Sequence, residues 1–100
     1  MIKSGARLQS QVCDTQIIVI RASENLTHLR CGGAPMVPVG ESTTAAAGPD
    51  PRFADGSAIG KRYTDESGAE LLVTRAGAGT LTIGDIPLQL EQARALPSSD

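Results

Sequence analysis

The chain has 100 residues, 40% of them hydrophobic and 20% charged, which is typical of one small globular domain or two very small ones. Nine Lys and Arg residues against eleven Asp and Glu residues give a formal net charge of −2, which excludes nucleic-acid binding through a basic surface. The longest apolar run, residues 17–20, is far shorter than the roughly 20 residues of a membrane-spanning helix. No secretory signal is visible near the N-terminus. We therefore expect a cytoplasmic protein that binds neither nucleic acid nor membrane.

The first part of the chain, residues 1–39, is predicted to be a small unit of short strands. β-branched residues fill 16–21 between polar neighbours, which predicts a strand, and a second strand is expected at 28–31 after a turn. Pro35 and Pro38 follow the second strand, as Pro87 does in the later part of the chain, and proline at such a place ends an edge without interrupting a central ladder.

Residues 40–58 are predicted to be a linker. The segment is rich in Gly, Ala, Ser, Thr, Pro and Asp and has neither helical nor strand periodicity. Pro49 and Pro51 exclude a helix at Asp50. Phe53 is the only large apolar residue of the segment, and it is the side chain by which the linker could be held against a neighbouring surface.

The last part, residues 59–97, is predicted to be a second unit of strands. Residues 70–74 match the first strand of the first unit, and the glycine-rich segment 76–80 predicts a hairpin turn that leads into a strand at 81–83. The glycines of that turn are expected to supply positive φ angles. Only the tail, 88–96, has a helical composition.

The two units share an ordered set of residues, which is typical of an internal duplication. The corresponding segments are Gly5-Ala6-Arg7-Leu8 with Gly60-Lys61-Arg62-Tyr63, 17–19 with 71–73, Arg21-Ala22 with Arg75-Ala76, and Leu29, Gly32, Pro35 and Met36 with Leu81, Gly84, Pro87 and Leu88. A unit of this size rarely folds alone, so each is expected to bury its apolar face on the other.

The first unit resembles the desulforedoxin family, which includes desulforedoxin and the N-terminal domain of desulfoferrodoxin. The family pattern is an aromatic residue and C-x-x-C, an aliphatic strand, a glycine-rich turn, and L-x-C-C-G followed by Met. In the first unit the matching segments are 8–13, 17–20 and 29–32, followed by Met36. In the second unit Tyr63 matches the aromatic residue and 77–81 the glycine-rich turn. The four ligand positions of that unit are occupied by Asp65, Gly68, Thr82 and Ile83. The resemblance implies an all-β fold of two desulforedoxin-like units in tandem, packed with pseudo-two-fold symmetry and with little or no helix.

The sequence departs from the family at the metal ligands. Cys13 and Cys31 remain, whereas Ser10 and Arg30 stand where the first and third cysteines are expected. The iron of the family needs four thiolates, so one chain alone does not supply that site. We expect no cofactor. Zinc or iron would need ligands from another chain or from side chains other than cysteine.

Cys13 and Cys31 are the candidate metal or redox residues, and the resemblance implies that they are neighbours in space. Three interpretations remain open: two packed, reduced thiols; a disulfide; or a metal held with further ligands such as Ser10, Asp14, His28 or a group from a symmetry mate. Cytosolic proteins seldom keep disulfides, but a small domain without its metal benefits from a cross-link. Packing or a surface position is the expected role of His28, the single histidine.

No catalytic motif is found in the sequence. The segment 77–79 contains G-x-G but lacks the G-x-x-x-x-G-K-[ST] pattern of a phosphate loop. The expected function is therefore a non-enzymatic accessory or protein-interaction module, either a subunit or scaffold for a larger enzyme or a self-associating protein. The alternative is a small redox or metal protein that uses Cys13 and Cys31 as a thiol/disulfide switch or a partial zinc or iron site.

Overall fold

The computed structural model describes residues 2–41 and 48–90, and this part of the chain is all-β, as predicted. The strands are β1 (Arg7–Gln9), β2 (Gln16–Arg21), β3 (Leu29–Cys31), β4 (Ala34–Pro35), β5 (Val37–Pro38), β6 (Arg62–Thr64), β7 (Glu70–Arg75), β8 (Leu81–Ile83), β9 (Ile86–Pro87) and β10 (Gln89–Leu90). Short 3₁₀ helices lie at Glu24–His28 and Pro51–Phe53. Within the described ranges, no helix has the length and apolar character needed to cross a bilayer.

The strands form two antiparallel sheets whose strand order is symmetric. The larger sheet has the order β10-β6-β7-β2-β1-β5 and the smaller one β4-β3-β8-β9. At the centre of each sheet a strand of the first unit pairs with a strand of the second, β2 with β7 and β3 with β8. Neither sheet is therefore built by one unit alone.

The register at the two sheet centres brings corresponding residues of the two units together. Ile18 pairs with Leu72 in the larger sheet, and Arg30 pairs with Thr82 in the smaller one. In both cases the partners occupy the same position in the sequence comparison of the two units. Two equivalent residues face each other in this way when an approximate two-fold axis runs between them. The strand pairing is thus pseudo-two-fold symmetric.

One hydrophobic core draws on both sheets. β2 and β7 have the same alternation of exposure, so that Ile17 and Val19 of one strand and Leu71 and Val73 of the other are buried. This alternation follows from the strand period of two residues. The remaining apolar members of the core are Leu8, Leu26, Leu29, Cys31, Met36, Ala69, Leu81 and Leu88.

Two predictions about local structure were wrong. The segment 76–80 is not a hairpin turn, because β7 and β8 lie in different sheets and each pairs with a strand of the first unit. Gly77 and Gly79 do not have positive φ angles. The start of the supposedly helical tail is strand β10, which pairs with β6, and residues 91–96 lie outside the described part.

The prolines occupy the positions that the sequence predicted for them. Pro35, Pro38 and Pro87 lie in β4, β5 and β9, which are all edge strands. An edge strand has one side without a ladder partner, so the missing proline N–H interrupts no central pairing.

The described part of the predicted linker is hydrogen-bonded to both units. The N–H of Asp50 donates to the carbonyl of Gly32 at 2.9 Å, and the N–H of Thr80 donates to the carbonyl of Phe53 at 2.8 Å. Residues 42–47 lie outside the described part. The boundaries 1–39, 40–58 and 59–97 remain predictions.

Because the sheets are shared, we expect a core mutation in one unit to destabilise both. Leu71→Ala removes a fully buried side chain and should lower the free energy of unfolding by about 2–5 kcal/mol. Its neighbour Leu72 is only partly buried, so Leu72→Ala is the control and should cost less, about 1–2 kcal/mol. Urea unfolding measures both values. Hydrogen exchange should show that β2 loses protection together with β7, and retained protection of β2 would contradict a shared core.

Candidate functional site

The two cysteines are neighbours, as predicted, with their Sγ atoms 3.8 Å apart. Cys13 lies in the turn between β1 and β2 and is partly exposed, whereas Cys31 at the end of β3 has 0% of its surface exposed. Both are free thiols. The pair therefore has one sulfur that solvent reaches and one that is enclosed by the protein.

Ser10 holds the turn that carries Cys13. Its Oγ accepts hydrogen bonds from the backbone N–H groups of Val12, at 3.1 Å, and Cys13, at 3.2 Å. In the second unit the counterpart of Ser10 is Asp65, whose Oδ1 accepts from the N–H of Ser67 and of Ala69. Both turns are thus held by a side-chain oxygen, a common arrangement for Ser and Asp in tight turns.

The residues at the other family ligand positions do not fit a four-thiolate iron site. The Ser10 oxygen is already used by two backbone N–H groups. Arg30 is exposed while Cys31 is buried, so the two side chains leave opposite faces of β3 and the guanidinium lies away from the sulfurs. Among the described residues, no three His, Cys, Asp or Glu side chains come together as a metal cluster. His28 is exposed.

A loop of the second unit lies directly against the cysteines of the first. The N–H of Gly79 donates to Cys13 Sγ at 3.3 Å. A Cβ atom at Gly79 would lie 2.8 Å from Gly32 N and 3.0 Å from Cys31 Sγ, and one at Gly77 would collide with the backbone and hydroxyl of Thr15. These glycines are therefore required because they allow the loop to approach closely. They do not supply the positive φ angles that the sequence had suggested.

Thr15 connects Cys13 to a chain of hydroxyl groups. It is fully buried, with Oγ1 3.3 Å from Cys13 Sγ and 2.8 Å from Ser57 Oγ. When Cys13 is ionised its sulfur only accepts, so the Thr15 hydroxyl donates to the sulfur and accepts from Ser57. This arrangement satisfies a buried hydroxyl and stabilises the thiolate at the same time.

The two thiols differ in acidity. Burial raises the pKa of Cys13, but hydrogen bonds from the Ser10 and Thr15 hydroxyls and from the backbone N–H groups of Thr15 and Gly79 outweigh burial and lower it to about 7. Burial raises the pKa of Cys31 to about 12, and the negative charge of Cys13 adds to that rise. Near neutral pH the pair therefore consists of a substantially ionised Cys13 and a protonated Cys31.

Cys13 borders a polar cleft with a volume of about 250 Å³. Among the residues that the structure describes, the cleft is lined by one cationic side chain, Arg75, and two carboxylates, Asp14 and Glu41. Its remaining lining residues are Gln9, Ser10, Thr15 and Gln16. Cys13 is thus positioned to react with a polar molecule that enters from solvent.

The second unit has no corresponding thiol site. Gly68 and Ile83 stand at the positions that correspond to Cys13 and Cys31, and Thr82 is buried with its hydroxyl donating to the carbonyl of Gly84 at 2.8 Å. Sequence reasoning identified the cysteines and Ser10 but missed Thr15, Ser57, Arg75 and the role of Gly79. Ser57 and Gly79 reach the site through contacts across 42 and 66 positions of sequence, whereas Thr15 is only two positions from Cys13 and belongs to no recognisable motif.

Searches of known protein families, of curated proteins and of solved structures gave no match to this chain. The resemblance to the desulforedoxin family therefore remains a prediction, carried by the residue pattern of the first unit.

We expect Thr15→Val to raise the pKa of Cys13 by about one to two units, because it removes a hydrogen bond to the thiolate without changing side-chain volume much. The pH dependence of iodoacetamide alkylation, followed by mass spectrometry of the Cys13 peptide, measures this pKa. In the wild type the rate should rise through pH of about 7, since only the thiolate reacts. Thr74→Val is the control, because the exposed Thr74 hydroxyl contacts no sulfur. An identical profile for Thr15→Val would contradict the assigned hydrogen bond.

Gly79→Ala should destabilise the protein by about 1–3 kcal/mol, since the new methyl group overlaps Gly32 and Cys31. It should also raise the pKa of Cys13 by moving the Gly79 N–H away from the sulfur. Gly48→Ala is the matched control, because no described heavy atom lies within 4 Å of a Cβ built there. Thermal unfolding and the alkylation profile test both effects. Equal stability of the two variants would refute the close approach of the loop.

Proposed function

We propose that this chain is a small, non-enzymatic redox protein in which Cys13 and Cys31 interconvert between a dithiol and a disulfide. The observation that carries the proposal is the contact of two free thiols at 3.8 Å in unequal surroundings. A disulfide has an S–S bond of about 2.05 Å, so closure requires the sulfurs to approach by somewhat less than 2 Å. Cys13 is the cysteine placed to move, because it lies on a turn while Cys31 lies on a paired strand.

The unequal surroundings suggest that the two cysteines have different chemical roles. Cys13 is the attacking thiolate, because it is partly exposed and a thiol with a pKa near ambient pH attacks disulfides most effectively. Cys31 is the resolving thiol, because its buried sulfur is not reached from solvent and reacts only with a disulfide already formed on Cys13. Oxidation of Cys13 removes the negative charge that helps to keep Cys31 protonated, which favours the second step.

This proposal takes up the thiol/disulfide alternative from the sequence. An interaction module or enzyme subunit, located in the cytoplasm, remains compatible with it. In a reducing compartment such a pair is held as a dithiol and is oxidised only when the thiol pool changes, as expected of a switch rather than of a structural disulfide.

The test is a redox titration in mixtures of reduced and oxidised glutathione, followed by alkylation and mass spectrometry. We expect conversion to an intramolecular Cys13–Cys31 disulfide at a defined potential. Cys31→Ser should instead accumulate mixed disulfides on Cys13, and Cys13→Ser should remain largely reduced because Cys31 is buried and protonated. If both cysteines of the wild type stay fully alkylatable under the oxidising conditions, or if only intermolecular dimers form, the proposal fails.

A further inference from the structure

The cleft beside Cys13 offers access to one sulfur only. Cys13 lines the cleft, whereas Cys31 is fully buried and is not among its lining residues. At about 250 Å³, the cleft lies just below the roughly 300–1,000 Å³ of sites that enclose a drug-sized ligand. It therefore accommodates the groups around one reacting sulfur atom rather than an extended molecule.

The charges of the cleft have both signs. Arg75, at the exposed end of β7, contributes a guanidinium. The ion pairs among residues 2–41 and 48–90 are Arg52 with Asp50 and Arg62 with Glu70, so Arg75 has no carboxylate partner within the described part. A guanidinium without a partner in a cleft is suited to bind a carboxylate. Asp14 and Glu41 line the same cleft and are suited to an ammonium group.

We propose that the cleft binds a small disulfide that carries both an ammonium and a carboxylate group next to its sulfur, that is, an amino-acid or short-peptide disulfide. The inference rests on the proposed redox function and names its oxidant. Arg75 acts as a specificity-determining residue that holds the carboxylate, while Asp14 and Glu41 face the ammonium group.

The reaction is balanced as two thiol–disulfide exchanges. The Cys13 thiolate attacks one sulfur of the bound disulfide, whose S–S bond breaks, and the released thiolate takes a proton from solvent. Cys31 then loses its proton to solvent and attacks the sulfur of Cys13, which displaces the second half of the ligand as a thiolate that takes a proton from solvent. Two electrons pass from the cysteine pair to the ligand, which leaves as two thiols.

The symmetry of the chain supplies a matched control for Arg75. Arg21 is its counterpart at the end of β2 and is also exposed, but it does not line the cleft. Arg75→Gln and Arg21→Gln therefore remove the same charge from equivalent strand ends. A difference between the two variants reports on the cleft and not on the net charge of the protein.

The experiment measures the rate of Cys13–Cys31 disulfide formation with four small disulfides that differ in charge. They are cystine (zwitterionic), dithiodiglycolate (anionic), cystamine (cationic) and hydroxyethyl disulfide (neutral). Each rate is divided by the rate of the same disulfide with a free cysteine peptide, which corrects for leaving-group acidity. We expect cystine to give the highest ratio. Arg75→Gln should lower the rates with cystine and dithiodiglycolate about two- to five-fold and leave that with hydroxyethyl disulfide unchanged, as for one solvent-exposed ion pair.

The outcomes separate this inference from the redox function on which it rests. Arg21→Gln should match the wild type with all four disulfides. Equal ratios for all four, a higher ratio for dithiodiglycolate than for cystine, or equal effects of the two arginine variants would overturn the proposed ligand while leaving the redox pair intact. If none of the disulfides closes the pair in the wild type, the redox function itself is refuted.

Discussion

The pairing of β2 with β7, and of β3 with β8, is the contact on which the rest of the structure depends. The apolar face of each unit is too small to form a stable hydrophobic core by itself. Antiparallel pairing of the two units combines both faces in one core. The pairing uses equivalent residues, Ile18 with Leu72 and Arg30 with Thr82, so a single arrangement satisfies both units. A chain with only one tyrosine and one phenylalanine gains by this route the buried area that large aromatic side chains would otherwise provide.

The same pairing assembles the thiol site. The cysteines and the serine-capped turn belong to the first unit, but the loop between β7 and β8 belongs to the second and reaches Cys13 only because that unit is docked beside it. Gly77 and Gly79 allow the backbone of the loop to approach where a side chain would not fit. The unit without cysteines is therefore part of the site, since it donates a hydrogen bond to one sulfur and packs against the other.

The two sulfurs of the pair lie in unequal surroundings, one partly exposed and one fully buried. Hydrogen bonds from Ser10, Thr15 and Gly79 favour the ionised form of Cys13, while the enclosed position of Cys31 favours its protonated form. One protein thus places a nucleophile and a protonated thiol in contact. The partners of Cys13 are hydroxyl and amide groups, and those groups stabilise a thiolate without a cation.

The sequence by itself determined the all-β class and the edge positions of the prolines, because these follow from local periodicity and from the missing N–H of proline. The proximity of the two cysteines was implied only by the resemblance of the first unit to the desulforedoxin family. Only the tertiary structure decided that 76–80 crosses between sheets and that Thr15, Ser57 and Arg75 belong to the site. A glycine-rich segment between two strands has the same local composition in a hairpin as in a crossover. What separates them is the choice of pairing partner, and here each central strand pairs with its equivalent in the other unit, a long-range contact that no local pattern encodes.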